Sequence, residues 1–296
     1  MTTINSSNEI QLNNPELTPK FPLLDLDFNS LPKKNRTDKQ NEDVVFFNTI
    51  NGSFAVFDGM GGEANGRDSS QFCSDLIQDR LKLLSPNISP QEAVKSLKNI
   101  AMNVNQLFME NKSKFNLGGS TATFGILCQN NLGGYQAVIA NMGDSRAYLF
   151  RSDNQRPLIK LTTDDNNIKA QAPNNFEKIQ NKLDEVLYEN QLNNTEKYLF
   201  KNRNAITNFF GYENACPEIN FINLQKGDIL LLTTDGVHDN LTTQEISRIL
   251  LNYQNQNSTE IIKELIGQSQ KRSQEGSFRS KSDDMTAMII KVGKKP

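Results

Sequence analysis

A set of aspartates falls beside strand-prone runs in this sequence. Asp43 precedes the run at 44–48, and Asp58 follows the run at 53–57. Asp144 sits in a turn, read as a hairpin, between the runs at 135–141 and 147–151. Asp235 closes the apolar run at 229–233, and Asp283 and Asp284 precede the run at 285–292. Taken singly, each is an ordinary turn or capping residue. Taken together, acids at strand ends converge on one rim of a sheet, where isolated carboxylates repel and a cation is needed to hold them. His238 is the single histidine, and Cys73, Cys128 and Cys216 are scattered. The available ligands are therefore hard oxygens, and the ion they suit is Mg²⁺ or Mn²⁺.

The elements that must position these acids alternate along the chain. The runs at 44–48 and 53–57 are joined by Asn51-Gly52, a hairpin signal. The second ends in Asp58-Gly59-Met60-Gly61-Gly62, a loop that draws on glycine's backbone freedom. A helix is predicted over 67–84, with Phe72, Leu76, Ile77, Leu81 and Leu84 on one face. The next opens at Ser89, Pro90 and Glu92, a capping box with proline in the first turn. Strands are predicted at 120–128, 135–141, 147–151, 229–233 and 285–292. Thr242 with Glu245 forms a second capping box, and Ser258 or Thr259 opens a further helix. Residues 163 to about 208 are rich in Asn, Lys and Glu and read as an inserted, mobile excursion rather than core.

The 296 residues suffice for a sizeable core. The balance of 32 Lys+Arg against 34 Asp+Glu, net -2, gives no basic field, so nucleic acid is not an expected partner. Unpaired cysteines fit a reducing compartment and argue against zinc. No stretch approaches the roughly 20 apolar residues of a membrane span. The first residues lack the basic-then-apolar pattern of a secretory signal. These readings place the chain in the cytoplasm, with secretion that needs no signal peptide left open. Mean hydropathy is -0.57, polar for a globular chain. Residues 1–34, rich in Asn, Pro, Ser and Thr, read as a flexible arm. Leu23 to Phe28 within them is a possible edge strand, the less favoured reading.

Several segments occur in a telling order: Asn41-Glu42-Asp43, FAVFDGMGG (54–62), GGSTATFGIL (118–127), IANMGDSRAYL (139–149), LLLTTDGVHDNL (230–241) and SDDMTAMIIKV (282–292). This pattern resembles the metal-dependent protein serine/threonine phosphatases of the protein phosphatase 2C-like type. The Met of DGMGG resembles the bacterial branch. Weaker echoes are LTTDD (161–165) and RNAITNFFG (203–211). The resemblance implies an α+β fold, a sandwich of two antiparallel β-sheets flanked by helices on both faces. It implies a catalytic domain over 35–296 with a flap-like insertion at about 165–208, acting as a monomer on phosphoproteins. It also implies a binuclear Mg²⁺/Mn²⁺ centre and attack of a metal-bridging hydroxide on phosphoserine or phosphothreonine. By matching position, Asp58 bridges both ions and the Gly59 carbonyl ligates one. Asp235 and Asp283 hold one ion. Asp43 acts directly or through water, and Glu42 through water. Asp144 matches the ligand of a third, weaker ion.

One departure bears on substrate. Where the family places an Arg to clamp phosphate, this chain has Asp38, flanked by Arg36 and Lys39. Either Arg36 or Lys39 takes the phosphate, or the clamp is absent. That opens a second reading, a weak or inactive pseudophosphatase serving as a binding module. A remote third reading is a GDSL-type serine hydrolase, from Gly143-Asp144-Ser145 and Asp235-Gly236-Val237-His238.

Overall fold

The computed structural model describes residues 24–37, 40–61, 65–129, 134–153 and 157–293. In chain order the strands are β1 (Leu24–Leu31), β2 (Asp43–Asn48), β3 (Ser53–Met60), β4 (Gly119–Ser120), β5 (Ala122–Gln129), β6 (Tyr135–Met142), β7 (Arg146–Phe150), β8 (Leu158–Lys160), β9 (Glu218–Leu224), β10 (Ile229–Thr233) and β11 (Met285–Val292). The helices are α1 (Gly66–Leu81), α2 (Pro90–Lys112), α3 (Asn167–Gln171), α4 (Phe176–Glu185), α5 (Asn194–Lys201), α6 (Asp235–His238), α7 (Thr243–Tyr253) and α8 (Ser258–Ser273). One sheet has the order β1-β11-β10-β7-β8. The other runs β2-β3-β5-β6-β9, with β4 paired to β3. The pairings are antiparallel throughout.

Side-chain alternation explains why the sheets stack. In β10, Leu230 and Leu232 point between the sheets, to Phe54, Val56, Ala147, Leu149 and Met288. Ile229 and Leu231 point outward, to Ile246, Ile249 and Ile261 of α7 and α8. A strand covered on both faces must be apolar throughout, hence the unbroken run. On the far side, α1 and α2 lay Cys73, Ile77, Leu97, Ala101 and Phe108 on the outer face of β3, β5 and β6. Each large aliphatic side chain buried this way contributes about 1.5–3 kcal/mol. The result is four layers, helix-sheet-sheet-helix. No helix among the described residues is long and apolar enough to cross a membrane.

The structure corrects several expectations. Residues 24–31 are not arm: β1 pairs with β11 along its whole length, from Leu24↔Val292 to Leu31↔Met285. Asp25 also accepts the Ser258 N–H at 2.9 Å, tying β1 to the start of α8. The polar surroundings hid a short alternating run. The arm expected over residues 1–23 lies outside the described residues. Helix α8 is capped by Asn257, whose side chain accepts from the Glu260 N–H, rather than by Ser258 or Thr259. The excursion is built rather than loose. It holds α3, α4 and α5 around a small core of Ile168, Leu183, Val186, Leu192, Leu199 and Phe200. Its asparagines suggested mobility, but Asn166 and Asn193 are N-caps of α3 and α5. Strands β8 and β9 went unpredicted.

Candidate metal centre

All the singled-out acids lie at one end of the sandwich. Antiparallel pairing sets Asp43 at the start of β2 directly across from Asp58 near the end of β3. Asp235 follows β10, and Asp283 precedes β11, the antiparallel neighbour of β10. Asp144 is not in a hairpin. Strands β6 and β7 belong to different sheets, so Gly143-Asp144-Ser145 is the link that crosses between them. Gly143 has φ +107°, and a Cβ there would meet the Thr121 side chain at 2.6 Å. That crossing carries Asp144 to the mouth between the sheets.

Threonines hold these loops. The Asp58 N–H donates to Thr121 Oγ1 at 3.0 Å, and the Thr121 N–H donates to the Asp58 carbonyl at 2.9 Å. Thr121 Oγ1 also lies 2.8 Å from Ser145 Oγ, linking the Asp58 and Asp144 loops. The Thr234 hydroxyl donates to Asp43 Oδ2 at 2.7 Å. Gly59 lets α1 approach, because a Cβ there would stand 2.0 Å from the Gly66 carbonyl. Arg67 of α1 donates to the carbonyls of Asn41 and Asp43 at 2.9 and 3.0 Å.

The second acid of the SDD motif does a different task from the first. Asp284 accepts the backbone N–H groups of Lys33 (2.5 Å) and Glu42 (2.8 Å). Arg36 pairs with Glu42 at 2.6 Å and with Asp284 at 3.5 Å. Asp165 ties the excursion to the Asp144 loop. Its backbone N–H donates to the Gly143 carbonyl, its Oδ2 accepts from Asn208 Nδ2, and its carbonyl accepts the Thr207 N–H. Lys39 lies outside the described residues.

The rim is electrostatically unfinished. Asp43 Oδ1, Asp144 Oδ1 and Asp235 Oδ1 are buried without a hydrogen-bond partner among the described residues. Burial pushes the carboxyls of Asp43, Asp58 and Asp144 well above the usual carboxylate range, and neighbouring acids add to the rise. Burial pushes Asp235 up to about 6, with Lys281 opposing. Buried oxygens aimed inward with no donor are what a hard cation would satisfy. No three of these side chains already close on a common point among the described residues.

The protein phosphatase 2C family model matches residues 30–277. The chain belongs to this family. It is 26% identical to the serine/threonine phosphatase stp of Listeria monocytogenes over 224 residues, 73% of this chain and 80% of that protein. The solved Stp1 of Staphylococcus aureus superposes with a TM-score of 0.71 at 22% identity, covering 92% of this chain and 96% of that one. The catalytic domain of the phosphatase PstP, in complex with 2 manganese ions, superposes with a TM-score of 0.66 at 20% identity, covering 92% of this chain and 99% of that one. The phosphatase 2C match stops before Asp283, whose place at the rim rests on the β10–β11 pairing.

The serine-hydrolase reading fails on geometry. Ser145 is fully buried and bonded to Thr121, while His238 is buried with Nδ1 against Thr233 Oγ1 at 2.8 Å. Burial holds the His238 imidazole well below its usual pKa, so it stays neutral. Sequence reasoning missed Thr121, Thr234, Asp165 and Lys281. The neighbouring threonines in GGST and TTDG were a weak signal for the first two. Lys281 had none.

Proposed function

We propose that this phosphatase 2C chain removes phosphate from phosphoserine and phosphothreonine of proteins with Mg²⁺ or Mn²⁺ held on the acidic rim. The observation that carries this is the set of buried, donorless oxygens on Asp43, Asp144 and Asp235. In this reading Asp43, Asp58, Asp235, Asp283 and the Gly59 carbonyl would hold two ions. Glu42 would support the centre, and Asp144 would serve a third ion. When bound, the ions supply a water of lowered pKa and neutralise charge on the phosphoryl oxygens. The Mn²⁺-containing PstP structure supports the choice of metal.

The chain's own residues do the positioning. Thr234 fixes one oxygen of Asp43 and leaves the other for a cation. Thr121 sets the Asp58 backbone, and Asp284 anchors the Glu42 backbone. Arg36 stands at the edge of the rim with only Nη1 engaged among the described residues, so Nε and Nη2 are the donors offered to substrate phosphate. The rim is assembled within one chain, which supports a monomer, and its expected compartment is the cytoplasm.

Hydrolysis of an aryl phosphate and of phosphothreonine peptides, with Mn²⁺ and with EDTA, tests the reading. Mn²⁺-dependent turnover abolished by EDTA is expected. Near-zero rates on both substrates with Mn²⁺ would refute catalysis and leave a binding module.

A further inference from the structure

Lys281 stands among the rim acids, and no step above uses it. It lies in the connection between α8 and β11, and its backbone is clamped from both sides. The Lys281 N–H donates to Asn240 Oδ1 at 2.9 Å, and Asn240 Nδ2 donates to the Lys281 carbonyl at 2.8 Å. Its side chain is only 11% exposed. The ammonium donates to Asp235 Oδ2 and stands 3.3 Å from Asp239 Oδ2 and 3.3 Å from Asp283 Oδ2. The Asp235 contact is a hydrogen bond, and Asp239 and Asp283 are ion-pair neighbours of the same ammonium.

This arrangement divides the rim into two faces. On one, Asp283 Oδ1 accepts the Asp284 N–H at 3.0 Å and Oδ2 faces Lys281 at 3.3 Å, with the side chain still about a third exposed. On the other, Asp43 Oδ1, Asp144 Oδ1 and Asp235 Oδ1 have no hydrogen-bond partner among the described residues. The same two residues, Asp235 and Asp283, are therefore claimed by a tethered cation and, in the metal-centre reading, by a divalent one. An ion that takes Asp235 Oδ2 or Asp283 Oδ2 has to displace the ammonium from that oxygen, or bind beside it against the repulsion of two positive charges.

We propose that Lys281 is a built-in competitor of the divalent metal: its ammonium sits against Asp235 Oδ2, Asp239 Oδ2 and Asp283 Oδ2 and must withdraw from the Asp235 and Asp283 oxygens before those oxygens close on an ion. This rests on the metal-centre reading given above. Lys281 thereby keeps the metal-free rim intact and sets the metal concentration at which the site fills. Arg203, 3.1 Å from Asp239 Oδ1, leaves Asp239 a partner when the lysine withdraws.

The test is Mn²⁺ binding by titration calorimetry to the full chain and to Lys281→Met. The variant is expected to bind with an apparent Kd at least ~10-fold lower, because a unit positive charge beside the ion has been removed. Equal affinities in the two proteins would overturn the proposal while sparing the metal centre. Absence of Mn²⁺ binding by both would overturn the metal centre and the proposal together. A second measurement covers a variant that fails to fold. In the wild-type chain, acylation of the Lys281 amine by an amine-reactive reagent is followed by mass spectrometry. Slow labelling in EDTA and faster labelling in Mn²⁺ are expected. Labelling unchanged or slowed by Mn²⁺ would show that the lysine does not leave, and would overturn the proposal.

Discussion

Arg146 is the most heavily engaged side chain beside the Asp144 loop, and its replacement by Met should be costly. Arg146 is 3% exposed. Its Nε and Nη2 bond both oxygens of Asp164, with the shortest contact at 2.5 Å. Nη2 also donates to Asp184 Oδ1 at 2.9 Å, and Nη1 donates to the Tyr148 hydroxyl at 3.0 Å. Asp164 and Asp184 are themselves buried, and after Arg146→Met their nearest cation is Lys160, at 3.7 and 3.4 Å. Removing one partner of a buried ion pair costs about 3–5 kcal/mol, because the remaining charge is stranded. Against a typical total of about 5–15 kcal/mol, that is a large fraction. Urea unfolding monitored by circular dichroism reads it. The pH dependence is a second check. Burial raises the Asp184 carboxyl, but Arg146 and Lys160 outweigh it and hold the folded value well below the ordinary one. A depressed folded value stabilises above about pH 4, and the gain is lost as pH falls toward the folded value. The gap between wild type and variant should therefore narrow in acid. Adding Asp164→Asn to Arg146→Met should recover part of the loss. A cost below about 1 kcal/mol, typical of an exposed pair, would refute the reasoning.

Other outcomes follow from the rim. Burial raises the Asp144 carboxyl in the folded protein, so without metal the folded state holds a proton more tightly than the unfolded chain. Stability in EDTA should then fall as pH rises from about 4 through the raised folded value, and Asp144→Asn should flatten that fall. Melting curves of both proteins between about pH 4 and 7 check this, and parallel slopes would contradict it. For the phosphate clamp, Arg36→Ala should raise KM for a phosphopeptide with a smaller effect on kcat, while Lys39→Ala should not. Steady-state kinetics decide, and the reverse pattern would hand the contact to Lys39.

Much of this architecture was legible. The capping boxes at Ser89 and Thr242 mark the starts of α2 and α7 because the reciprocal side-chain bonds are local. The apolar runs of β2, β3 and β10 carry the acids to one end, so the rim could be drawn from strand ends alone. What escaped depends on contacts distant in sequence. β1 is a strand only because β11 offers an edge, and its own residues are ambiguous. The crossing at Gly143 resembles a hairpin turn locally, and only the full sheet order shows that it changes sheets. The excursion's asparagines read as solvent-loving, whereas the structure uses two of them as helix caps. Lys281 was invisible for the same reason: nothing near it in the chain shows that Asp235 and Asp239 will face it.

The central claim is that the strand-end acids form one cation-holding rim. Counting Mn²⁺ bound per chain, from the spin-resonance signal of the free ion during titration, tests it most directly on wild type and on Asp58→Asn, with circular dichroism confirming that both are folded. The account predicts about two tightly held ions in the wild type, as in two-metal sites generally, and loss of that uptake in the variant. Uptake unchanged by Asp58→Asn, or no uptake by the wild type, would contradict it.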